Sequence, residues 1–118
     1  MSMKVQGTQD ESVYVEHMLE CIRRINEYVE NKAEFYASML VQDAVIRNLQ
    51  IMAESSQRLS ETTKQNYAEI PWKNIAGFRN ILVHGYLGVD LDMIWSVVEQ
   101  ELPGLESTLV EICKTSGK

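Results

Sequence analysis

The sequence predicts an all-α fold, a four- to five-helix up-and-down bundle. The first observation is that the 118 residues include only 2 Pro and 6 Gly, too few for the many turns of an all-β chain. The second is that apolar residues recur at steps of three and four, which is the spacing of one helix face. The third is that 45% of the residues are hydrophobic, so a chain of this length can bury a core. We expect one domain over residues 1–118.

The first helix is predicted to follow a loose N-terminal end over residues 1–8. Thr8 and Glu11 have the spacing of a capping box, in which two side chains satisfy backbone N–H groups at a helix start. An apolar stripe requires a partner surface, so this helix should pack against the others. The stripe consists of Val15, Met18, Ile22, Ile25 and Val29.

A second helix is predicted from a cap at Asn31 to about Ser60. Between Met39 and Ala53 its apolar residues cover most of the circumference, as expected of a central helix buried on several sides. The short joint at Asn31 makes the first two helices antiparallel neighbours. Residues 61–69 are polar and predict a loop.

Two more helices complete the predicted bundle. Pro71 suits the first turn of the third, because its missing N–H would have no intrahelical partner there. That helix should end near His84 to Tyr86, where glycines follow. Asp90 is the expected cap of the last helix, and Pro103 predicts a kink or a restart after Leu102.

The charge and hydropathy of the chain limit its partners. Nucleic-acid-binding proteins usually show a basic surface, because Lys and Arg release counterions from phosphates, whereas this chain has a net charge of −6. RNA binding would therefore be confined to a local positive site, and no DNA partner is expected. No apolar run approaches the roughly 20 residues that span a bilayer, and no signal peptide is seen, so we expect a cytoplasmic protein without a membrane partner.

The segment from Arg79 to Tyr86 is the strongest candidate for a functional site. It sets Arg79, Asn80, His84 and Tyr86 in a stretch that is otherwise apolar or Gly. Polar groups in such a stretch must find partners or face a cleft. The alternative at this point is a buried polar network that closes the helix end.

These residue types suit phosphodiester chemistry. Histidine can take a proton from a ribose 2′-hydroxyl near neutral pH. Arginine can hold a phosphate through two N–H groups and stabilise the charge that builds on it, and asparagine can orient either group. Tyrosine can stack on a base, donate a hydrogen bond or accept a modification. This chemistry requires no metal, and the ligands for one are not gathered in the segment.

The geometry of one straight helix does not assemble this site. Five residues of separation place Arg79 and His84 about 140° apart on an ideal helix, whereas Asn80 and His84, four residues apart, share a face. Two arrangements would remove the difficulty. The helix distorts before Gly85, or the same segment of a second subunit completes the site across a two-fold axis.

A second polar set lies on the predicted central helix. Asp43, Arg47 and Glu54 follow one another at spacings of four and seven residues. Asp43 and Arg47 can pair locally, and a structural role for all three is the favoured interpretation. A functional role remains the alternative.

The sequence around the segment resembles the HEPN superfamily, and more closely its HepT-like branch of bacterial toxins. The motif of that branch is Arg-x4-His-x-Tyr, which Arg79, His84 and Tyr86 match position for position. The resemblance covers about residues 10–113. It also includes Ile70-Pro71-Trp72, Gly77-Phe78, Asp43-Ala44 to Arg47, Met52-Ala53-Glu54, Val89-Asp90, Ile94-Trp95 and Leu102-Pro103.

The resemblance implies a metal-independent ribonuclease without a cofactor, acting on tRNA or mRNA. It implies a homodimer with the active site at its interface. His84 would be the general base, Arg79 would bind the scissile phosphate, and Asn80 would position one of them. It further implies a type VII toxin–antitoxin pair, in which an MntA-like minimal nucleotidyltransferase antitoxin transfers AMP onto Tyr86.

Two other functions are compatible with the same sequence. Some members of the superfamily are described as nucleotide-binding companions and not as nucleases. The resemblance therefore also allows a non-catalytic nucleotide- or substrate-binding subunit that works only through its nucleotidyltransferase. A structural helical adaptor is the remaining alternative.

Overall fold

A computed structural model describes the backbone of residues 2–84 and 90–116, and the side chains of residues 11–79 and 90–115. Every regular element within these ranges is helical, which confirms the all-α prediction. A π-helical segment, Val97–Glu101, joins the last two helices. The helices are α1 (Ser2–Tyr28), α2 (Lys32–Ala37), α3 (Met39–Ser56), α4 (Glu61–Asn66), α5 (Trp72–His84), α6 (Leu91–Ser96) and α7 (Leu102–Ser116).

Four long elements form the bundle: α1, α3, α5 and the continuous rod from α6 through the π-helical segment to α7. Helix α1 packs against α3 and α7, α3 also packs against α5, and the short α2 lies on α3 and α6. The predicted apolar stripe of α1 is buried, apart from the partly buried Val29. The largest fully buried side chains are Phe35, Met18, Ile22, Ile25, Leu49, Met52, Ile94, Leu102 and Leu109. Within the described ranges, no helix combines the length and apolarity that crossing a membrane requires.

The start of α1 differs from the prediction. The helix begins at Ser2, so residues 2–8 are helical and not a loose end, and Thr8 lies inside the helix. The backbone of this segment extends a helix that the buried Val15 and Met18 already hold in place, and adding residues to an existing helix costs far less than nucleating one. The capping-box spacing of Thr8 and Glu11 therefore marks no helix start.

The predicted second helix is two helices, α2 and α3, separated at Ser38. Ser38 has an extended backbone (φ −123°, ψ 113°), and its hydroxyl accepts a hydrogen bond from the Val41 N–H at 3.1 Å. Gln42 Nε2 donates to the carbonyl oxygens of Phe35 and Tyr36 at 3.0 and 3.2 Å. Backbone groups at both helix ends next to Ser38 thus have side-chain hydrogen-bond partners, so the break costs little free energy. The predicted cap at the other end of α2 is confirmed, because the Asn31 side chain accepts from the Glu34 N–H.

The stretch predicted as a loop over residues 61–69 contains α4. Ser60 caps this helix, its hydroxyl accepting from the Thr63 N–H at 3.1 Å. Thr63 Oγ1 also donates to Glu11 Oε1 at 2.7 Å, which ties α4 to α1. No residue of α4 is buried, so the helix has no apolar stripe that the sequence could have revealed.

The helical rod over residues 91–116 begins as expected. Asp90 Oδ1 accepts from the N–H groups of Asp92 and Met93 at 3.0 and 3.2 Å, which confirms the predicted cap. The kink or restart predicted after Leu102 does not occur: the rod stays helical through Pro103, and it departs from α-helical geometry in the π-helical segment before Leu102. There the Leu102 N–H donates to the Val97 carbonyl, five residues back.

Helix α2 holds the beginning of this rod. The Tyr36 hydroxyl donates to Asp92 Oδ1, and this hydrogen bond raises the pKa of Tyr36 to about 12. The rings of Phe35 and Trp95 lie 5.5 Å apart, centroid to centroid. These contacts fix the position at which the chain enters α6.

Candidate active site

Helix α5 carries the arginine and histidine of the candidate site and is anchored at its start. Trp72 Nε1 donates to the Tyr67 carbonyl at 3.0 Å, and the Ile75 N–H donates to the Pro71 carbonyl at 3.1 Å. Ile75 is buried and Phe78 is partly buried against the core. The apolar side of α5 therefore packs onto α3 and leaves the position of Arg79 on the outside.

Arg79 is exposed and is held by a neutral partner. Its Nη1 donates to Gln57 Oε1 at 3.0 Å, and Gln57 is the C-cap of α3. Every ion pair among the described side chains joins residues of α1, so no described carboxylate neutralises Arg79. A guanidinium has five N–H donors, and the amide does not cancel its charge. Arg79 can therefore bind an anion from solvent.

Asn80 and His84 both lie on α5, which keeps regular α-helical geometry as far as His84. The described backbone thus places positions 80 and 84 one turn apart, and positions 79 and 84 about 140° apart around the axis. Up to His84 the helix therefore shows no distortion that would bring Arg79 and His84 onto one face. The side chains of Asn80 and His84, and Tyr86 as a whole, lie outside the described residues, as does the predicted helix end beyond His84.

Gln57 is a site residue that sequence reasoning missed. It lies 22 positions before Arg79 and belongs to the stretch that was predicted to continue the central helix. Its role depends on the packing of α3 against α5, and no local spacing or motif signals that contact.

Asp43, Arg47 and Glu54 are all exposed on the solvent side of α3. The local ion pair that the spacing of Asp43 and Arg47 allows does not form. Their side chains therefore contribute no described ion pair to the stability of α3.

A groove lies beside α5 among the described residues. This groove of about 340 Å³ runs between α5 and the start of α7, and it is lined by Phe78 and not by Arg79. Within the part of the chain that the structure describes, no group of three His, Cys, Asp or Glu residues could hold a metal ion together. At this position of the described surface, the positive charge of Arg79 is the feature that can bind a ligand.

A helical bundle with an Arg-x4-His segment on one helix defines a protein of the HEPN class. Residues 18–112 match the family described as Ribonuclease HepT-like, and the chain belongs to that family. No solved structure gives a significant match.

Curated relatives carry ribonuclease names. A Methanocaldococcus jannaschii protein, named as a gamma-glutamylcyclotransferase and candidate RNase, is 38% identical over 112 residues, 93% of this chain and 50% of that protein. A "Probable ribonuclease HepT" of Thermococcus cleftensis is 33% identical over 103 residues, 86% of this chain and 94% of that protein. An "mRNA nuclease HepT" of Shewanella oneidensis is 27% identical over 110 residues, 73% of this chain and 83% of that protein. The chain thus spans half the length of the first relative.

Proposed function

We propose that residues 1–118 form a single HEPN-like domain that cuts RNA without a metal, in the cytoplasm, as the toxin of a type VII toxin–antitoxin pair. The observation that carries this proposal is the state of Arg79 in a chain of the HepT-like ribonuclease family. The motif arginine stands exposed, bound to a neutral amide and not paired with a carboxylate, in a protein whose net charge is −6. A local cation of this kind suits a phosphate.

In the proposed reaction, His84 takes the proton of a ribose 2′-hydroxyl. The 2′-oxygen then forms a bond to the adjacent phosphorus, and the bond from phosphorus to the 5′-oxygen breaks. Water supplies a proton to the leaving 5′-oxygen, and His84 returns its proton to solvent. Arg79 binds the phosphate oxygens and stabilises the added negative charge, and Asn80 positions His84 or the phosphate.

The proposed enzyme is a homodimer. Positions 79 and 84 lie on different sides of α5, which is α-helical as far as His84. A second copy would complete the site across a two-fold axis by bringing the histidine of one chain towards the arginine of the other. The substrate class proposed is tRNA or mRNA.

The proposed regulation acts on Tyr86. An MntA-like nucleotidyltransferase would transfer AMP from ATP, so that the phenol oxygen gains a bond to the α-phosphorus and pyrophosphate leaves. The AMP group would add bulk and negative charge near Arg79, where it would oppose RNA phosphates.

The ribonuclease activity is tested by incubating the purified chain with total RNA in the presence of EDTA. We expect the wild type to degrade the RNA and His84→Ala, purified identically, to leave it intact, since the general base is gone. A mock purification from cells that lack the gene reveals any contaminating nuclease. Intact RNA with the wild type, accompanied by ATP binding in calorimetry, would support the non-catalytic subunit instead. Equal cleavage by both proteins would show that His84 is not the base.

The regulation has a separate test. After incubation with ATP and the neighbouring nucleotidyltransferase, we expect the intact mass of the wild type to rise in steps of one AMP unit. Tyr86→Phe should show no such rise, because it lacks the acceptor oxygen, while Tyr28→Phe serves as the matched control. An equal mass gain in Tyr86→Phe would place the modification elsewhere.

A further inference from the structure

The solvent side of α3 carries a regular set of charges. Asp43, Arg47 and Glu54 are exposed, and their spacings of 4 and 7 residues keep them within about 40° of one another around the helix. The exposed Arg58 follows 4 residues later. Arg58 lies just past the last residue of α3, in a tighter turn in which its N–H donates to the Ser55 carbonyl, three residues back, at 3.0 Å. We call these four residues the charged face of α3. Ile51, 37% exposed, borders the middle of this face.

None of the four charges forms an ion pair with a described side chain. An acidic residue four positions before a basic one is the favourable order for a local ion pair, yet neither Asp43–Arg47 nor Glu54–Arg58 forms one among the described side chains. On α1, in contrast, the charged residues pair with one another, as in Arg23–Glu27 at 2.8 Å. The guanidinium of Arg58 lies over the Tyr14 ring, 5.9 Å from its centroid. Asp43, Arg47 and Glu54 therefore have no described ion-pair partner. Arg58 has one aromatic contact and keeps its charge available to an external partner.

The order of these charges makes the face complementary to itself. Along α3 the signs run negative, positive, negative, positive, and in the opposite direction they run positive, negative, positive, negative. When two copies are laid antiparallel about a two-fold axis at Gln50 and Ile51, Asp43 faces the partner's Arg58. Arg47 then faces the partner's Glu54. The two-fold axis repeats each pairing, so all four charges of both chains find opposite charges.

We propose that the charged face of α3 binds the same face of a second copy of this chain, antiparallel and with Ile51 next to the axis. The exposed ion pairs fix orientation and register, while Ile51 and, towards one end, the 79% exposed Leu40 supply apolar contact. This inference rests on the homodimer of the proposed function. What it adds is the surface through which the two copies bind.

This interface would end beside the candidate active site. Gln57, which holds Arg79, follows α3 directly, and the two copies of Gln57 would lie about 20 Å apart along the helix axis. Each Arg79 would then border the first turns of the partner's α3. Both arginines would lie along one continuous surface, where a single RNA strand can follow them.

The interface is tested by charge reversal in the full-length chain, with the dimerisation Kd measured by analytical ultracentrifugation. Arg47→Glu would place like charges opposite each other twice per dimer, so we expect its Kd to rise at least about tenfold. Adding Glu54→Arg restores opposite charges across the axis and should return Kd towards the wild-type value. Arg23→Glu makes the same change of charge on α1 and should leave Kd unaltered.

Three outcomes would overturn the interface: a monomeric wild type, an unchanged Kd in Arg47→Glu, or a double variant as weak as the single one. Circular dichroism of every variant shows whether its helices are intact. RNA cleavage is measured on the same samples and separates the two proposals. A wild-type dimer weakened by Arg47→Glu supports the interface even if it cuts no RNA, which would contradict only the ribonuclease. Cleavage by a monomeric wild type would overturn the interface together with the dimeric site of the proposed function, and would leave the ribonuclease activity standing.

Discussion

Replacing Arg79 with alanine is expected to lower kcat/KM for RNA cleavage by about 10²- to 10³-fold, the usual loss when one group that stabilises transition-state charge is removed. The guanidinium is exposed and uncompensated, so its removal takes away the described cation of the site. Arg79→Lys should fall between wild type and alanine, because an ammonium keeps the charge and loses the planar pair of donors. Cleavage of a defined RNA oligonucleotide at several substrate concentrations measures kcat and KM for each variant.

Gln57→Ala is the matched control for this experiment. It removes the hydrogen bond that orients Arg79 and leaves the charge in place, so its loss of rate should be smaller than that of Arg79→Ala. Both residues are exposed, and both variants should unfold at the wild-type temperature. A wild-type rate in Arg79→Ala would exclude this arginine from the reaction.

Phe35→Ala is expected to lower the free energy of unfolding by about 3–5 kcal/mol, as is typical when a buried phenylalanine is truncated. Phe35 is 0% exposed, and its ring lies 5.4 Å from that of Tyr36 and 5.5 Å from that of Trp95. Its helix, α2, has only 6 residues and packs against both α3 and α6. A helix of this length does not persist without tertiary contacts, so loss of the ring should release α2 and the start of the rod together.

Denaturant unfolding followed by circular dichroism measures this change. Val110→Ala on α7 is the control, since Val110 is 39% exposed and its truncation should change the free energy of unfolding by less than about 0.5 kcal/mol. Similar stability of Phe35→Ala and the wild type would mean that α2 does not depend on this side chain.

The helices that contain apolar stripes could be predicted from the sequence, because burial imposes the period that the sequence displays. Helix α4 could not, since it buries nothing, and the break at Ser38 could not, since it lies within a run of helix-forming residues. Ser38 acts as a cap only because Gln42 reaches back to the end of α2 and Phe35 holds that helix against the core. Asn31 and Asp90 were recognisable as caps because each precedes a new stripe.

The candidate site was likewise only partly predictable from the sequence. The residue types and their order predict Arg79, Asn80, His84 and Tyr86 as a set, and their roles stay a prediction. The contact of Arg79 with Gln57 depends on how two helices pack, so it needed the structure. The role of Asp43 and its neighbours likewise depended on knowing which side of α3 faces solvent.

The π-helical segment at Val97–Glu101 should let this part of the chain lose one residue without disturbing the core. A π turn is equivalent to an α-helix with one residue inserted. Losing one residue from this stretch would let it relax to ordinary α-helical winding, and the side chains of α6 and α7 would keep their phase around the axis. The same deletion within α7 would rotate all following residues by about 100° and turn Leu109 and Ile112 out of the core. A deletion of one codon should therefore be tolerated between Val97 and Glu101 and not a few residues later.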